Sequence, residues 1–177
     1  MGLILAKSQS NRLTNKNTLD FHGKPMFLVN TEKCLKIFDS VYVSSDSKEI
    51  LDQAQKIGAI PILRSEDLCG DIPNIPVYKH ALQYMPKDII GIVAVQANSP
   101  TLDSSVITGA KMLLEEGKDE VMTCHEDRSI YGSVWGISRQ RLENYGDPYN
   151  PKPDTTIVDR SIDVHTMLDY KRALEYN

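Results

Sequence analysis

No stretch of this chain is apolar for the roughly 18 to 20 residues that a bilayer-spanning helix needs. No charged segment leading into a long apolar run marks a secretory leader. Cysteine is scarce, with 3 in all (Cys34, Cys69 and Cys124). An odd, dispersed set fits neither a disulfide framework nor a zinc site, and it suits reduced thiols in a cytoplasmic protein. Excess basic charge is missing as well. With 20 basic against 24 acidic residues the net charge is −4, so the broad cationic surface of a nucleic-acid binder is not expected. Two phosphate-binding signatures, Gly-x-x-x-x-Gly-Lys-Ser/Thr and Gly-x-Gly-x-x-Gly, are both absent, which disfavours two common nucleotide folds. No Ser-His-Asp or Cys-His set can be assembled, and the scattered His22, His80 and His125 read as surface or packing residues.

What is present begins at the first residues. At 177 residues the chain is the size of one domain, 1–177, with a full hydrophobic core. The apolar run Gly2–Ala6 empties into Lys7–Asn17, a polar stretch carrying Lys7, Arg12 and Lys16 among serines and asparagines. A buried strand opening into such a loop suits the carboxyl edge of an open α/β sheet, where ligands bind. In an acidic chain, the cluster of Lys7, Arg12, Lys16 and Lys24 points to a focused anion site, such as one for a nucleoside triphosphate. A solvated basic loop is the plain alternative.

Further along, Pro25 is placed to open a helix over 26–38, and Val41–Val43 reads as a strand. Ser47 can cap a helix that buries Ile50, Leu51, Ala54 and Ile57 and stops at Gly58. Residues 59–63 form a third strand, placed at an edge by Pro61. A loop over 64–75 precedes a helix over 77–84. Residues 89–95 are apolar on both faces and predict a central parallel strand. A helix over 103–116, strands at 120–124 and 131–137, a helical turn after Arg139, a strand at 155–158 and a helix over 166–176 complete the chain. Strands alternating with helices predict a three-layer α/β/α sandwich around a mostly parallel, Rossmann-like sheet. The polar residues that follow the strands (Lys7–Asn17, Asp46, Arg64, Asp71, Gln96 and Ser99) then share one edge.

Taken in order, several short motifs resemble one family. Ala6-Lys7-x-x-Ser10 through Lys16-Asn17, Gly23-Lys24-Pro25, Phe38-Asp39-x-Val41-x-Val43-Ser44-x-Asp46 and Leu63-Arg64 with Leu68-x-x-Asp71 carry the first half. His80-Ala81-Leu82, Gln96-x-x-Ser99-Pro100 and Ser161-Ile162-Asp163-x-x-Thr166-x-x-Asp169 carry the rest. The pattern is similar to that of the acylneuraminate cytidylyltransferases, the CMP-sialic acid synthetase family, across nearly the whole chain.

That resemblance implies a fold of the nucleotide-diphospho-sugar transferase type and transfer of CMP from CTP to an acidic sugar or similar small acceptor, with release of pyrophosphate. It implies Mg²⁺ as cofactor, with Mn²⁺ as a substitute. Nucleotide contacts fall to Ala6, Lys7, Ser10, Arg12, Lys16, Asn17, Arg64 and Asp71. Gln96 and Ser99 face the acceptor, and Lys16 and Asp163 serve catalysis. Asp163 and His165 stand at the metal pair.

Several departures from the pattern matter. His165 occupies the second position of a usual Asp-x-Asp pair, and imidazole suits softer metals than Mg²⁺. Lys7 stands where Arg is usual, keeping charge but losing bidentate geometry. Asn11-Arg12 and Leu102 likewise replace Lys-Gly and an Arg. Between Cys124 and Tyr131 the chain also lacks the insertion that in those enzymes builds a dimer contact and part of the sugar pocket. A smaller or different acceptor, such as another acidic sugar or a phosphonate, is compatible with that. A non-catalytic nucleotide-binding relative and a sugar-1-phosphate nucleotidyltransferase are the alternatives.

Overall fold

Residues of alternating parity along the strands build two different cores. In the computed structural model, which describes residues 1–176, β1 (Gly2–Leu5) sends Ile4 to one face and Leu3 to the other. β4 (Gly91–Gln96) sends Val93 and Val95 one way and Ile92 and Ala94 the other. All six are buried, as expected for strands covered on both sides. α1 (Met26–Leu35), α2 (Lys48–Lys56) and α4 (Ser104–Glu115) close the first face through Phe27, Cys34, Ile50, Ala54, Ile107 and Leu114. α3 (Asn74–Leu82) and α5 (Arg139–Glu143) close the second through Tyr78, Ala81 and Leu142. The three layers are those the alternating pattern predicts.

With β2 (Val41–Ser45), β3 (Ile60–Leu63), β5 (Glu120–Cys124), β6 (Ile130–Ser138) and β7 (Thr155–Val158), the sheet has the order β3-β2-β1-β4-β6-β5-β7. Pairing is parallel except at β6, which runs antiparallel to both β4 and β5. The reason is the length of the connection. A parallel crossover takes about a dozen residues or more, whereas β5 and β6 are joined by a hairpin that His125 N closes on Ser129 O at 2.9 Å. The chain builds outward from β1 to β3, then returns through α3 to place β4 on the other side of β1. Strand order therefore reverses between β1 and β4, and a crevice opens there at their carboxyl ends.

Some boundaries differ from expectation. α1 stops at Leu35, and Phe38 N donates back to Cys34 O at 2.9 Å, turning the Phe38 ring into the core. β4 begins at Gly91 because Ile90 is exposed and its carbonyl accepts from Arg139 N at 2.8 Å. A side chain at Gly91 would collide with the Ile137 carbonyl, so the strand starts on the residue that permits this approach. The loop after β3 holds a 3-10 turn at Glu66–Leu68. α3 starts earlier than expected, with Pro76 in its first turn, where no backbone donor is required. α6 (Met167–Glu175) is fixed by a Thr166–Asp169 capping box and packs Ala173 against Phe21, Met26 and Val164. This anchors the segment just before it, which carries Asp163.

Candidate functional site

The opening loop is tied to the sheet at both ends. Ser8 N and Oγ donate to Asp46 Oδ1 and Oδ2 at 2.7 and 2.6 Å, joining the exits of β1 and β2. Asn17 Nδ2 donates to Lys7 O at 2.9 Å and folds the far end of the loop back to its start. Between these ties Asn15 sits at φ 52, a left-handed conformation that Asn tolerates, and starts the 3-10 turn Lys16–Thr18. Burial works to raise the Asp46 carboxyl, but the Ser8 hydrogen bonds and the Arg64 charge overcome it and hold it below its ordinary value. Arg64 itself leaves β3 and folds over β2, donating from Nε to Ser44 Oγ at 3.2 Å and from a terminal nitrogen to Ser44 O at 2.9 Å.

The exit of β4 is held from below by two α1 side chains one turn apart. Asn30 Nδ2 donates to the carbonyls of Gln96 and Ser99 at 2.9 and 2.8 Å. Lys33 Nζ donates to those of Pro100 and Leu102 at 2.8 and 2.7 Å. The loop they fix turns Gln96 and Asn98 into the crevice and Ala97 and Ser99 into the core. Across from it, Asp163 Oδ1 accepts from Asn98 Nδ2, and His165 Nε2 lies 2.7 Å from Asp163 Oδ2. Tyr131, at the start of β6, donates its hydroxyl to Asp159 and stacks on His125 with ring centroids 4.0 Å apart.

These groups enclose a cleft of about 370 Å³ lined by Lys7, Ser10, Asn11, Arg12, Lys16, Asp71, Asn74, Gln96, Asn98, Tyr131, Asp163 and His165. A smaller lobe of about 110 Å³ shares Lys7, Lys16, Asn74, Gln96 and Asn98 with it and adds Leu5, Asn17, Arg64, Leu68, Ile72 and Val77. One lobe is polar and cationic; the other has an apolar floor. Lys16 stands where they meet. Its pKa is lowered by burial above all, Asp163 opposes that shift, and the like charges of Lys7 and Arg12 add to it. An anion entering the cleft would relieve that repulsion. The Lys7–Asp71 ion pair at the mouth spans 3.7 Å with Asp71 largely exposed, so it holds Lys7 only weakly.

Residues 1–145 match the family model described as Cytidylyltransferase. The chain belongs to the cytidylyltransferase family. It is 31% identical over 115 residues to pseudaminic acid cytidylyltransferase of Campylobacter jejuni, covering 61% of this chain and 50% of that protein. It is 27% identical over 161 residues to 3-deoxy-manno-octulosonate cytidylyltransferase of Francisella tularensis subsp. novicida, covering 90% of this chain and 58% of that one. The chain thus spans about half the length of these curated relatives. Among solved structures, a CMP:2-keto-3-deoxy-manno-octonic acid synthetase complexed with CTP superposes with a TM-score of 0.77 at 15% identity, covering 98% of this chain and 96% of that one. Rv0371c of Mycobacterium tuberculosis, in complex with manganese, gives 0.73 at 16% identity and covers 99% and 98%. At such identities the likeness carries the fold alone.

The residues expected from sequence fall in three groups in this cytidylyltransferase-family chain. Lys7, Ser10, Arg12, Lys16, Asp71, Gln96, Asp163 and His165 line the larger lobe, and Asn17 and Arg64 line the smaller. Ala6 and Ser99 do neither, since both are fully buried. Ala6 spends its N–H on Ser44 O, and Ser99 gives its carbonyl to Asn30. At this exit Asn98, and not Ser99, lines the cleft. The chain turns at Ala97–Asn98 as it leaves β4, and this turn carries the Asn98 side chain to the cleft. Asn74, Asn98 and Tyr131 line the cleft without having been singled out from the sequence.

No group of three His, Cys, Asp or Glu side chains that could hold a metal occurs among the described residues. His165 faces the Asp163 carboxylate through Nε2, so it supports that group instead of standing beside it as a second oxygen donor. A lone carboxylate still fits Mg²⁺, which is commonly held by one or two carboxylates together with substrate phosphates. The donor set suits a cation that arrives with a nucleotide.

Proposed function

We propose that this chain transfers a cytidylyl group from CTP to a hydroxyl of a small acidic acceptor of the acidic-sugar class, releasing pyrophosphate. The observation that carries this, in a member of the cytidylyltransferase family, is the convergence of Lys7, Arg12 and Lys16 on Asp163 in one cleft at the β1/β4 reversal. The triphosphate lies along the opening loop against Lys7, Ser10, Arg12 and Lys16. The nucleoside occupies the smaller lobe, over Leu5, Leu68 and Val77 and beside Arg64. Gln96 and Tyr131 border the space left for the acceptor. An acceptor hydroxyl attacks the α-phosphorus in line, and the bond to the bridging oxygen breaks to release pyrophosphate. Lys16, already short of counter-charge, is placed to neutralise charge that grows in the transition state. Asp163 is the residue that would hold a divalent cation, Mg²⁺ or Mn²⁺, which when bound screens the phosphate oxygens.

We read the chain, residues 1–177, as a single domain that holds the whole site. Among the described residues all three cysteines are free, and no helix is long and apolar enough to cross a membrane. Both facts support a cytoplasmic enzyme working on soluble substrates. The test is a panel of the four nucleoside triphosphates with several acidic sugars and either Mg²⁺ or Mn²⁺, following pyrophosphate release. Turnover with CTP and one acidic acceptor supports the assignment; equal binding of all four nucleotides would overturn it. The second reading, a non-catalytic nucleotide-binding relative, is favoured by the close Asp163–His165 pair. It gains if CTP binds selectively and no acceptor releases pyrophosphate.

A further inference from the structure

Asp163 reaches the cleft from residues 159–165, a segment with no regular secondary structure between β7 and α6. A carboxylate on such a segment needs an external hold to keep one direction. The hold comes from Asn98. Its Nδ2 donates to Asp163 Oδ1 and, at 3.3 Å, to Val164 O, and its own carbonyl accepts from Val164 N at 2.8 Å. Asn98 is 8% exposed. Both partners of its amide nitrogen are acceptors, so the orientation of the amide is determined. Asn98 is itself held, because Asn30 and Lys33 pin the carbonyls on either side of it to α1. A path of hydrogen bonds and main chain therefore runs from α1 through Asn98 to the Asp163 carboxylate.

We propose that Asn98 is a positioning residue that aims the Asp163 carboxylate at the cation accompanying a bound nucleotide, an inference that rests on the cytidylyl-transfer reading. An ionised carboxylate offers about four lone-pair sites over its two oxygens. Asn98 uses one on Oδ1 and His165 faces Oδ2, so each oxygen keeps acceptor capacity toward the cleft. Without the amide, the Oδ1 side is free to turn toward Lys16, its cationic neighbour. A cation would then have to break a Lys16–Asp163 pair before binding. The Val164 N to Asn98 O bond joins main-chain atoms, so it survives a change of side chain and keeps the segment docked.

The experiment uses the full chain, with Mn²⁺ as the probe. Protein-bound Mn²⁺ is followed by water-proton relaxation enhancement at saturating CTP, against CTP and Mn²⁺ without protein, and CTP binding is measured separately in EDTA. Asn98→Leu keeps the approximate size and removes the donor; Asn98→Gln keeps a donor on a longer arm. Loss of a group that orients a metal ligand costs about 10- to 100-fold in metal affinity. That loss is expected for the Leu variant, with CTP affinity in EDTA little changed and part of the Mn²⁺ affinity recovered by Gln. Unaltered Mn²⁺ binding by the Leu variant would overturn the role, as would parallel losses of Mn²⁺ and metal-free CTP binding. If the wild-type chain retains no Mn²⁺ with CTP, the reading of the whole site falls along with it.

Discussion

Replacing Lys16 by Met keeps an unbranched stem of similar length and removes one charge from the centre of the cleft. In the free protein that charge is poorly accommodated. Burial lowers its pKa, Lys7 and Arg12 lower it further, and Asp163, which opposes the shift, is engaged by Asn98 and His165. The variant should therefore unfold at the same urea concentration as wild type or a slightly higher one. With CTP the balance reverses. A unit charge about 4 Å from a phosphate oxygen is worth roughly 4 kcal/mol at an effective dielectric of 20. Removing one stabilising group from a charged transition state typically costs about 2.7–4 kcal/mol, a fall of about 10²–10³ in turnover.

Steady-state pyrophosphate release should show that fall in kcat with a much smaller change in KM for CTP. The pH dependence has a definite sign. Because the folded pKa lies below the unfolded value of 10.5, the unfolded chain binds more protons between the two, and stability rises with pH across that alkaline window. The Met variant should lose this rise. Equal, small effects on kcat and KM would refute the transition-state role, and a lowered unfolding midpoint would show that Lys16 holds the fold instead.

Three other outcomes can be checked independently. His165→Asp places a second carboxylate beside Asp163 and should lower the Mg²⁺ concentration needed for half-maximal turnover; an unchanged Mg²⁺ titration would remove His165 from the metal argument. Ser8→Ala deletes the hydroxyl that helps hold the Asp46 carboxyl below its ordinary 3.8. That stabilisation is present above the unfolded pKa and is lost as pH falls through the folded one. The wild type's advantage in urea unfolding should thus be full at neutral pH and shrink below pH 3.8, and a pH-independent gap would contradict it. Gly91→Ala would drive a methyl group into the Ile137 carbonyl and should cost about 1–3 kcal/mol of stability by overpacking, so a variant with wild-type thermal unfolding would be evidence against so tight a strand crossing.

How far the sequence could be read depended on which physical rule applied locally. The strands with residues buried on both faces and the capping and glycine signals at Ser47 and Gly58 locate most elements correctly. Polar exits from β1, β2, β3 and β4 point to the right edge of the sheet. Tyr131 escapes that rule because β6 runs the other way, bringing its beginning to the edge where the parallel strands end. The short connection from Cys124 to Ile130 carried that information, since too few residues intervene for a crossover. Asn98 lies in the turn at Ala97–Asn98 that ends β4, and a turn breaks the strand's alternation, so the polar residues Gln96, Asn98 and Ser99 do not by their spacing say which faces the cleft. The start of α3 at Asn74 was masked by Pro73 and Pro76, which punctuate a loop and are equally at home before and within a first helical turn.

The β5–β6 hairpin has a consequence for how such a site can change over time. Its tip, from His125 to Ser129, is exposed throughout, while the residue just beyond it, Tyr131, lines the cleft. Added length at an exposed loop tip costs little, about 0.6 kcal/mol per doubling of a flexible loop. Insertions there leave the ladders of β5 and β6 intact and deliver new side chains beside the Tyr131 end of the cleft. The end of the cleft tied to α1 and the end bordered by Tyr131 are thus built on different parts of the chain, the first pinned by Asn30 and Lys33 and the second carried on an exposed turn. On the proposed cytidylyl transfer, selection for a new acceptor could act on the hairpin without disturbing the nucleotide, which makes this turn the natural place to graft altered specificity.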